Sequence, residues 1–198
     1  MIDYPILIKN AVPLDLCKFV SLEFTLLGRA TAAFDPAIGQ EPGFKDSFCA
    51  YCPPCLESLA VYMTPFIEET LNKELWPSYS YGRLYKPGSE LNKHYDRRSS
   101  EYVISVCLQE GTKEWDLVVD TPDGPKSFLM NVGDLVLYSG RKWPHWRNGP
   151  YQGTDQIQAF IQYVDKNGDS ADLKWDSRPA LCLPFEFTQD YVKQELNQ

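Results

Sequence analysis

The amino-acid sequence predicts a mainly β protein, a β-sandwich or jelly roll with helices packed on its outside. Two observations support this prediction. Apolar residues recur at helical spacing in two stretches of the N-terminal part, and from about residue 78 the chain changes to short β-type runs separated by turns. The length is most simply that of a single domain, 1–198. We expect a helical buttress at about 1–75, a jelly-roll core at about 76–165 and a C-terminal arm at 166–198.

The first predicted helix spans residues 14–27 and follows Pro13, a residue type favoured at helix starts. Its apolar stripe consists of Leu16, Val20, Phe24 and Leu27. The next stretch, 30–48, is small, polar and interrupted by glycine and proline, which predicts a loop.

The second predicted helix spans residues 54–72. Its apolar residues at helical spacing are Leu56, Leu59, Met63, Ile67 and Leu71. We expect the first four of them to be buried against the sheet. Pro65 removes a backbone donor inside the helix, so we expect it to kink or split the helix there.

The β-type runs are "YSYGRLY", "EYVISVCL", "EWDLVVD", "KSFLMN", "GDLVLYS" and "QIQAFIQYV". Turn signals fall between them at "KPGS", "PDGP", "NVGD" and "RNGPYQG". The tail, 166–198, is mixed in character and contains proline. We expect it to wrap around the barrel and to end in a short helix near 188–196.

Composition narrows the range of partners. The net charge is −8, with charges of both signs mixed along the chain, so the surface repels phosphate backbones and no nucleic-acid partner is expected. No apolar run reaches the length of a membrane span. The N-terminus, "MIDYPILIKNAVPLD", lacks the pattern of a secretory signal. We therefore expect a cytoplasmic protein without a membrane partner, in which the six cysteines are mostly thiols.

The chain contains two histidines, His94 and His145. In an extended segment the side chains of His94 and Asp96 share one face and can hold one ion, because side chains alternate along the backbone. His145 follows the run "GDLVLYS" and would supply a third ligand. Two imidazoles and one carboxylate on one face of a metal are typical of non-haem Fe(II) oxygenases. These residues alone leave open a second interpretation, two structural histidines.

Three stretches together resemble the 2-oxoglutarate- and Fe(II)-dependent dioxygenases of the prolyl 4-hydroxylase-like group: "YSYGRLYKPGSELNKHYDR", "GDLVLYSGRKWPHWR" and "QAFIQYV". The resemblance covers roughly residues 56–165. It implies a double-stranded β-helix, a jelly-roll or cupin-like fold, with His94, Asp96 and His145 as metal ligands and catalytic centre. It also implies Fe(II) as the metal, with 2-oxoglutarate and O2 as cosubstrates.

The far carboxylate of 2-oxoglutarate needs a cation or several hydrogen-bond donors. The resemblance assigns the Tyr85 hydroxyl to this task. The basic residue that the family carries after the distal histidine is missing, because residues 154–158 are "TDQIQ". Arg147, two residues past the distal histidine, would share its face if the strand continues, and it is the expected anchor. Gln158 could assist through its amide, and Arg83, on the same face as Tyr85, is the alternative cation.

The function implied by the resemblance is hydroxylation of a C–H bond coupled to decarboxylation of 2-oxoglutarate to succinate. A prolyl residue of a peptide or protein is the expected substrate, with a free amino acid or small metabolite as the alternative. Two other functions stay open. One is a cupin-like metal-binding or interaction module without oxygenase activity, which the missing basic residue favours. The other is a nucleic-acid demethylase on the same barrel, which the acidic net charge disfavours. The oligomeric state is left open.

Two groups of residues have no assigned role. Cys49, Cys52 and Cys55 have metal-like spacing but no fourth ligand nearby, so a structural role is favoured over zinc or redox chemistry. Cys55 lies near a helix start, where a lowered thiol pKa would make it reactive. Arg97 and Arg98 either bind an anionic group of the substrate or form a solvated turn.

The two tryptophans beside the distal histidine are expected to point in opposite directions. If the backbone there is extended, Trp143 shares the face of His145 and lines the substrate pocket, whereas Trp146 points away.

Overall fold

Two antiparallel sheets form the centre of the protein, which is described by a computed structural model over residues 4–35, 37, 39 and 47–183. The elements are β1 (Ile6–Ile8), α1 (Leu14–Phe34), β2 (Phe48–Tyr51), α2 (Pro54–Leu71), β3 (Leu75–Tyr85), β4 (Tyr102–Gln109), β5 (Leu117–Thr121), β6 (Gly124–Phe128), β7 (Leu135–Tyr138), β8 (His145–Arg147) and β9 (Gln156–Asp165). The larger sheet has the strand order β1-β7-β4-β9-β3-β2, and the smaller has the order β6-β5-β8.

Strand β3 shows how the two faces of the larger sheet differ. Alternate side chains line a cavity: Tyr79, Tyr81, Arg83 and Tyr85. The residues between them face the helices. At Gly82 an added Cβ would lie 2.4 Å from the Phe24 ring and 2.7 Å from Leu56, so only glycine lets α1 and α2 pack this closely. One face of the sheet therefore carries the helical buttress, and the other carries the candidate site.

Helix α1 is longer than predicted. It continues to Phe34, about two turns past residue 27, and occupies the first part of the predicted loop. Alanines at 30, 32 and 33 are strong helix formers. The helix ends at Asp35, which is extended and precedes a proline, a position biased away from the helical conformation. The buried stripe also differs, because Val20 and Phe24 are buried as predicted but Leu27 is exposed.

Helix α2 confirms the prediction for 54–72 in its extent and in its buried face. Its buried apolar side chains include all four that were predicted: Leu56, Leu59, Met63 and Ile67. Pro65 does not split the helix. It lies on the exposed side next to Phe66, where water can satisfy the carbonyl that loses its helical donor. Neither α1 nor α2, the α-helices of the described ranges, is long and apolar enough to cross a membrane.

All the predicted β-type runs form strands, β3 to β7 and β9, although β6 begins two residues earlier than its run. Three short strands were not predicted: β1, β2 and β8. Each has three or four residues, too few for an alternation pattern, and exists because a longer strand pairs with it. β1 pairs with β7, β2 with β3, and β8 with β5.

The first part of the C-terminal arm is fastened to the helical buttress. A 3₁₀ segment, Ala171–Ser177, follows β9, and Arg178 then forms a buried ion pair with Glu57 of α2 at 3.0 Å. Glu57 also accepts a hydrogen bond from the Ser80 hydroxyl of β3 at 2.9 Å. These contacts hold the arm against the larger sheet. The short helix predicted near 188–196 lies outside the described residues.

Candidate metal centre and adjoining cavity

Two chain segments place His94 and His145 directly opposite each other. The His94 amide donates to the His145 carbonyl at 3.1 Å, and the His145 amide donates to the His94 carbonyl at 2.9 Å. Two residues further on, the Asp96 amide donates to the Gly140 carbonyl at 3.0 Å. The intervening Tyr95 is exposed, so side chains alternate as expected for an extended backbone. His94, Asp96 and His145 consequently share one side.

The three side chains are close enough to share one ion. Their ligating atoms all lie within 4.8 Å of one another. The Asp96 carboxylate lies 3.6 Å from Nε2 of His94 and 3.7 Å from Nε2 of His145. Ligands on one face of an octahedral ion, each about 2.1 Å from it, are about 3 Å apart. To hold one divalent metal, the two histidine–aspartate pairs would have to approach by less than about 1 Å, and the two histidines, within 4.8 Å, by at most about 2 Å.

Backbone carbonyls orient both imidazoles. Nδ1 of His94 lies 2.8 Å from the Asn92 carbonyl, and Nδ1 of His145 lies 3.2 Å from the Trp143 carbonyl. A carbonyl only accepts, so each Nδ1 carries the proton and each Nε2 presents its lone pair toward Asp96. Burial lowers the pKa of His145 from its usual value, although the Asp96 carboxylate opposes this effect. A neutral imidazole is the form that binds a metal.

Gly140 makes room for the carboxylate. A Cβ added at this residue would lie 2.1 Å from Oδ2 of Asp96. Any other residue would push the Asp96 side chain away from the histidines. This requirement explains the glycine in the run "LYSGRKWPH", which sequence reasoning had not connected with the metal ligands.

The triad borders a cavity of about 280 Å³ between the sheets. Its wall is mostly aromatic and consists of Tyr51, Tyr79, Tyr81, Tyr85, Tyr138 and Phe160. Arg83 and Arg97 also line it. His94 is the most accessible of the three candidate ligands, with 40% of its side chain exposed, whereas His145 is buried. An ion held by the triad would therefore be open toward the cavity.

The three predicted cosubstrate residues all carry buried polar atoms that have no hydrogen-bond partner among the described residues. These atoms are the Tyr85 hydroxyl, Nε and Nη2 of Arg147, and both amide atoms of Gln158. The Arg147 guanidinium lies 5.9 Å from the Tyr85 ring centroid and 5.0 Å from that of Trp115, whose carbonyl accepts a hydrogen bond from its Nη1. Burial lowers the pKa of Arg147, the direction expected for a cation removed from water.

The two candidate cations lie on different sides of Tyr85. Arg83 lies 5.6 Å from the Tyr85 ring centroid and lines the same cavity as the triad. Arg147 and Gln158 instead line a neighbouring cavity of about 150 Å³. Arg147 lies two residues after His145 on β8 and is buried, so the two side chains share a face and point inward.

Tyr138 is a site residue that sequence reasoning missed. It is the last residue of β7, its ring centroid lies 4.9 Å from that of His145, and its buried hydroxyl has no partner among the described residues. Burial raises its pKa well above the usual value, so the hydroxyl stays a neutral donor. The inward position at the end of the run "GDLVLYS" was the available signal.

Asp176 of the C-terminal arm also reaches the cavity wall. Its carboxylate accepts hydrogen bonds from the Tyr51 hydroxyl at 2.5 Å and from Arg97 at 2.6 Å. The Arg97 guanidinium also stacks on Tyr79, 4.1 Å from the ring centroid. Arg97 is therefore part of the cavity wall, whereas Arg98 is exposed and pairs with Asp172. No local pattern could reveal this contact, because Asp176 and Arg97 are 79 residues apart.

The prediction for Trp143 is wrong. Trp143 is packed in the hydrophobic core and is absent from the wall of the main cavity. Its amide donates to the Ser139 carbonyl in a turn, so side chains begin to alternate only at His145. Trp146 points away from the cavity as predicted, and its indole donates to Asn148.

The cysteine cluster forms no metal site among the described residues. Cys49, Cys52 and Cys55 are buried, and among the described residues the only group with three suitable ligand atoms is the His94, Asp96 and His145 set. Burial raises the pKa of Cys55 to about 11, so the expectation of a reactive thiol there is wrong.

No protein-family model matches the sequence, and no curated protein matches it at a significant level. Solved structures do share its fold. A prolyl-4-hydroxylase from Pseudomonas putida has a TM-score of 0.61 and 16% identity over 81% of this chain and 92% of that chain. HygX from Streptomyces hygroscopicus, solved with nickel, 2-oxoglutarate and hygromycin B, has a TM-score of 0.61 and 13% identity over 82% of this chain and 83% of that chain.

A third similar structure is the α-ketoglutarate-dependent epimerase SnoN from nogalamycin biosynthesis, with a TM-score of 0.63 and 11% identity over 82% of this chain and 78% of that chain. At these identities the likeness shows the fold. It confirms the predicted class, mainly β with flanking helices in a double-stranded β-helix.

Proposed function

We propose that this protein is a 2-oxoglutarate- and Fe(II)-dependent oxygenase that oxidises a C–H bond of its substrate. The observation that carries the proposal is the juxtaposition of two Nε2 atoms and a carboxylate within 4.8 Å, beside a cavity. This donor set is typical of non-haem Fe(II) oxygenases. The proposal is also supported by the fold, which is shared with a solved protein named as an α-ketoglutarate-dependent epimerase and with one solved with nickel and 2-oxoglutarate bound.

In this proposal His94, Asp96 and His145 hold Fe(II). When bound, Fe(II) and 2-oxoglutarate supply the activation of O2 and its coupling to C–H oxidation, with release of succinate and CO2. The protein contributes three fixed ligands, and the Asn92 and Trp143 carbonyls hold the imidazoles through Nδ1, so that each Nε2 faces Asp96. The aromatic wall excludes water from the reacting groups.

We also propose that Arg147 and Tyr85 bind the far carboxylate of 2-oxoglutarate, with Gln158 assisting. A carboxylate brought into a buried site without a counter-charge costs several kcal/mol. A single neutral hydrogen bond from Tyr85 contributes only about 0.5–1.5 kcal/mol. Arg147 supplies a buried cation with two nitrogens that lack partners among the described residues, and a carboxylate can accept from both.

A prolyl residue of a peptide or protein is the substrate we propose to test first, with hydroxylation as the reaction. Likeness in fold to a prolyl-4-hydroxylase supports this choice. The cavity of about 280 Å³ lies at the lower end of the range of small-molecule sites, about 300–1,000 Å³, and has room for a ring-sized group beside the cosubstrate. A free amino acid or small metabolite is the alternative substrate. The net charge of −8 gives the demethylase alternative no support.

The test is to measure succinate formed from 2-oxoglutarate in the presence of Fe(II) and O2, with and without a prolyl peptide or free proline. We expect succinate formation that requires Fe(II) and that is lost in the Asp96→Ala variant. Tyr95→Phe changes an exposed neighbour and should keep the activity. A protein that binds Mn(II) at the triad but neither binds nor consumes 2-oxoglutarate would contradict the proposal and favour the metal-binding module instead.

A further inference from the structure

Helix α1 presents an apolar face to solvent. Phe19, Leu22 and Leu26 are 60%, 59% and 52% exposed, while Val20 and Phe24 on the opposite face are buried in the core. A helix that is apolar on both faces is normally covered on both. This exposed face, with Phe19, Leu22 and Leu26 at its centre, is called the α1 face below.

Charged residues frame the α1 face symmetrically. Asp15 and Arg29 lie seven residues before and after Leu22. Because a seven-residue step turns an α-helix by about 700°, both point within about 20° of the direction of Leu22. Phe19 and Leu26 both lie on the same side of the line that runs along α1 from Asp15 through Leu22 to Arg29. The α1 face is therefore apolar at its centre, with Asp15 and Lys18 toward its N-terminal end and Arg29 toward its C-terminal end.

This pattern is self-complementary. A two-fold rotation about an axis perpendicular to α1 at Leu22 brings two copies of α1 together in antiparallel orientation. Leu22 then meets Leu22 of the second copy, and Phe19 meets Leu26 of the second copy. Asp15 meets Arg29 of the second copy at both ends. The charges match in this antiparallel arrangement, whereas a parallel arrangement would place like charges together.

We propose that a second copy of this chain covers the α1 face, so that the protein forms a homodimer through antiparallel packing of α1. Electrostatics favour this surface over others. The whole chain carries a net charge of −8, but α1 holds two acidic residues, Asp15 and Glu23, balanced by Lys18 and Arg29. Within the helix, the Asp15 carboxylate lies 3.2 Å from the Lys18 ammonium. Both side chains are highly exposed, so this ion pair is weak and leaves Asp15 able to contact Arg29 of the second copy.

The proposed dimer is independent of the oxygenase proposal. α1 packs on the face of the larger sheet opposite the cavity, so dimerisation leaves the candidate site open. One pair of helices makes a small interface, and small interfaces bind weakly. We therefore expect a weak, transient dimer with a dissociation constant in the micromolar range.

Sedimentation equilibrium of the full chain tests the proposal over protein concentrations up to about 200 μM, above the expected micromolar range. The wild type should approach twice the 22.7 kDa of one chain. Leu22→Glu should weaken the dimer at least a hundredfold, because two carboxylates then meet on the two-fold axis. Asp15→Arg and Arg29→Asp should each weaken the dimer about tenfold. The variant with both substitutions should restore wild-type affinity, because Arg at position 15 then faces Asp at position 29 of the second copy.

Glu69→Arg is the control for Asp15→Arg, since it makes the same change from an acidic to a basic residue on the exposed side of α2. It should leave the dimer unaffected. All three positions on α1 are exposed, so the variants should fold, which circular dichroism can verify. A wild type that stays monomeric at every concentration overturns the proposal. A dimer that survives Leu22→Glu, or single charge variants that the double variant does not rescue, overturns it as well.

Discussion

At the residue scale, the candidate metal centre depends on which nitrogen each imidazole presents. The Asn92 and Trp143 carbonyls fix Nδ1 as the protonated atom, and both Nε2 atoms then face Asp96. These contacts come from backbone atoms within two residues of each histidine, so the local turn sets the ring orientation. A metal can bind without first rearranging the rings, which reduces the ordering cost of binding.

Removing one ligand should remove most of the metal affinity. We expect His94→Ala and His145→Ala each to weaken Mn(II) binding at least tenfold, or by about 1.4 kcal/mol. Asp96→Glu should keep part of the affinity because the carboxylate survives, yet lose more activity because its longer reach disturbs the geometry. Calorimetric titration with Mn(II) measures the affinities. Tyr95→Ala, which removes the exposed residue between two candidate ligands, is the control and should bind like the wild type. Unchanged Mn(II) affinity in either histidine variant would disprove the triad.

The anchor of the far carboxylate can be assigned by comparing two arginines. Arg147→Ala should raise the KM for 2-oxoglutarate at least tenfold, about 1.4 kcal/mol, and leave Mn(II) binding nearly intact. Arg147→Lys should reverse only part of the rise in the KM for 2-oxoglutarate, because a guanidinium matches the two oxygens of a carboxylate and an ammonium does not. Calorimetric binding of 2-oxoglutarate to the Mn(II)-loaded protein gives a readout that does not need turnover. If Arg83→Ala raises the KM and Arg147→Ala does not, the anchor lies on β3.

At the element scale, the candidate ligands lie where the connection between β3 and β4 meets the start of β8. The turn between β7 and β8 holds Gly140, whose carbonyl accepts a hydrogen bond from the Asp96 backbone amide. Because Gly140 has no side chain, it also leaves space for the Asp96 carboxylate. The connection between β3 and β4 holds His94 and Asp96. A connection of the larger sheet thus meets strand β8 of the smaller sheet at one pair of backbone hydrogen bonds between His94 and His145.

A methyl group at Gly140 should damage the metal centre without unfolding the barrel. We expect Gly140→Ala to weaken Mn(II) binding at least tenfold and to lower the free energy of unfolding by about 1–3 kcal/mol, the usual effect of overpacking. The stability loss should be smaller when Asp96 is also replaced by alanine, because the colliding carboxylate is then gone. Calorimetry and urea unfolding measure the two effects. A stability loss of the same size in both backgrounds would show that the collision is not with Asp96.

A buried aspartate joins the N-terminal strand to the barrel. The Asp134 carboxylate accepts a hydrogen bond from the Lys9 ammonium at 2.8 Å. It also accepts hydrogen bonds from the backbone N–H groups of Asn10 and Asn131, each at 2.9 Å. Burial alone raises the pKa of Asp134, but these hydrogen bonds outweigh it and the net shift is downward. A lowered pKa stabilises the folded state above the unfolded pKa of about 3.9. This stabilisation is lost as the pH falls through the lower folded-state pKa.

Asp134→Asn should therefore lower the free energy of unfolding at pH 7 by about 1–3 kcal/mol. It should also flatten the dependence of stability on pH between about pH 5 and pH 2 relative to the wild type. Urea unfolding at a series of pH values measures both effects. Asp123→Asn, in the exposed turn between β5 and β6, should leave the wild-type slope unchanged. An Asp134→Asn variant with the wild-type slope would show that this carboxylate does not contribute.

At the scale of the whole molecule, the sequence predicted what local patterns encode. The long strands and α2 have clear periodicities, and the scarcity of histidine pointed to the two that the structure places side by side. Short strands such as β8 carry no pattern of their own and exist through pairing. Asp176 reaches the cavity wall through a contact distant in sequence, which no local pattern encodes. The turn that moves Trp143 from the predicted pocket into the core is local, but the prediction assumed an extended backbone there.

The most direct test of the central claim is a crystal structure of the protein with Mn(II) and 2-oxoglutarate, with Mn(II) located by its anomalous scattering. We predict one Mn(II) per chain, bound by Nε2 of His94, Nε2 of His145 and the Asp96 carboxylate. 2-Oxoglutarate should chelate this ion, and its far carboxylate should contact Arg147 and the Tyr85 hydroxyl. Mn(II) bound elsewhere, or 2-oxoglutarate absent from the cavity at saturating concentration, would contradict the account.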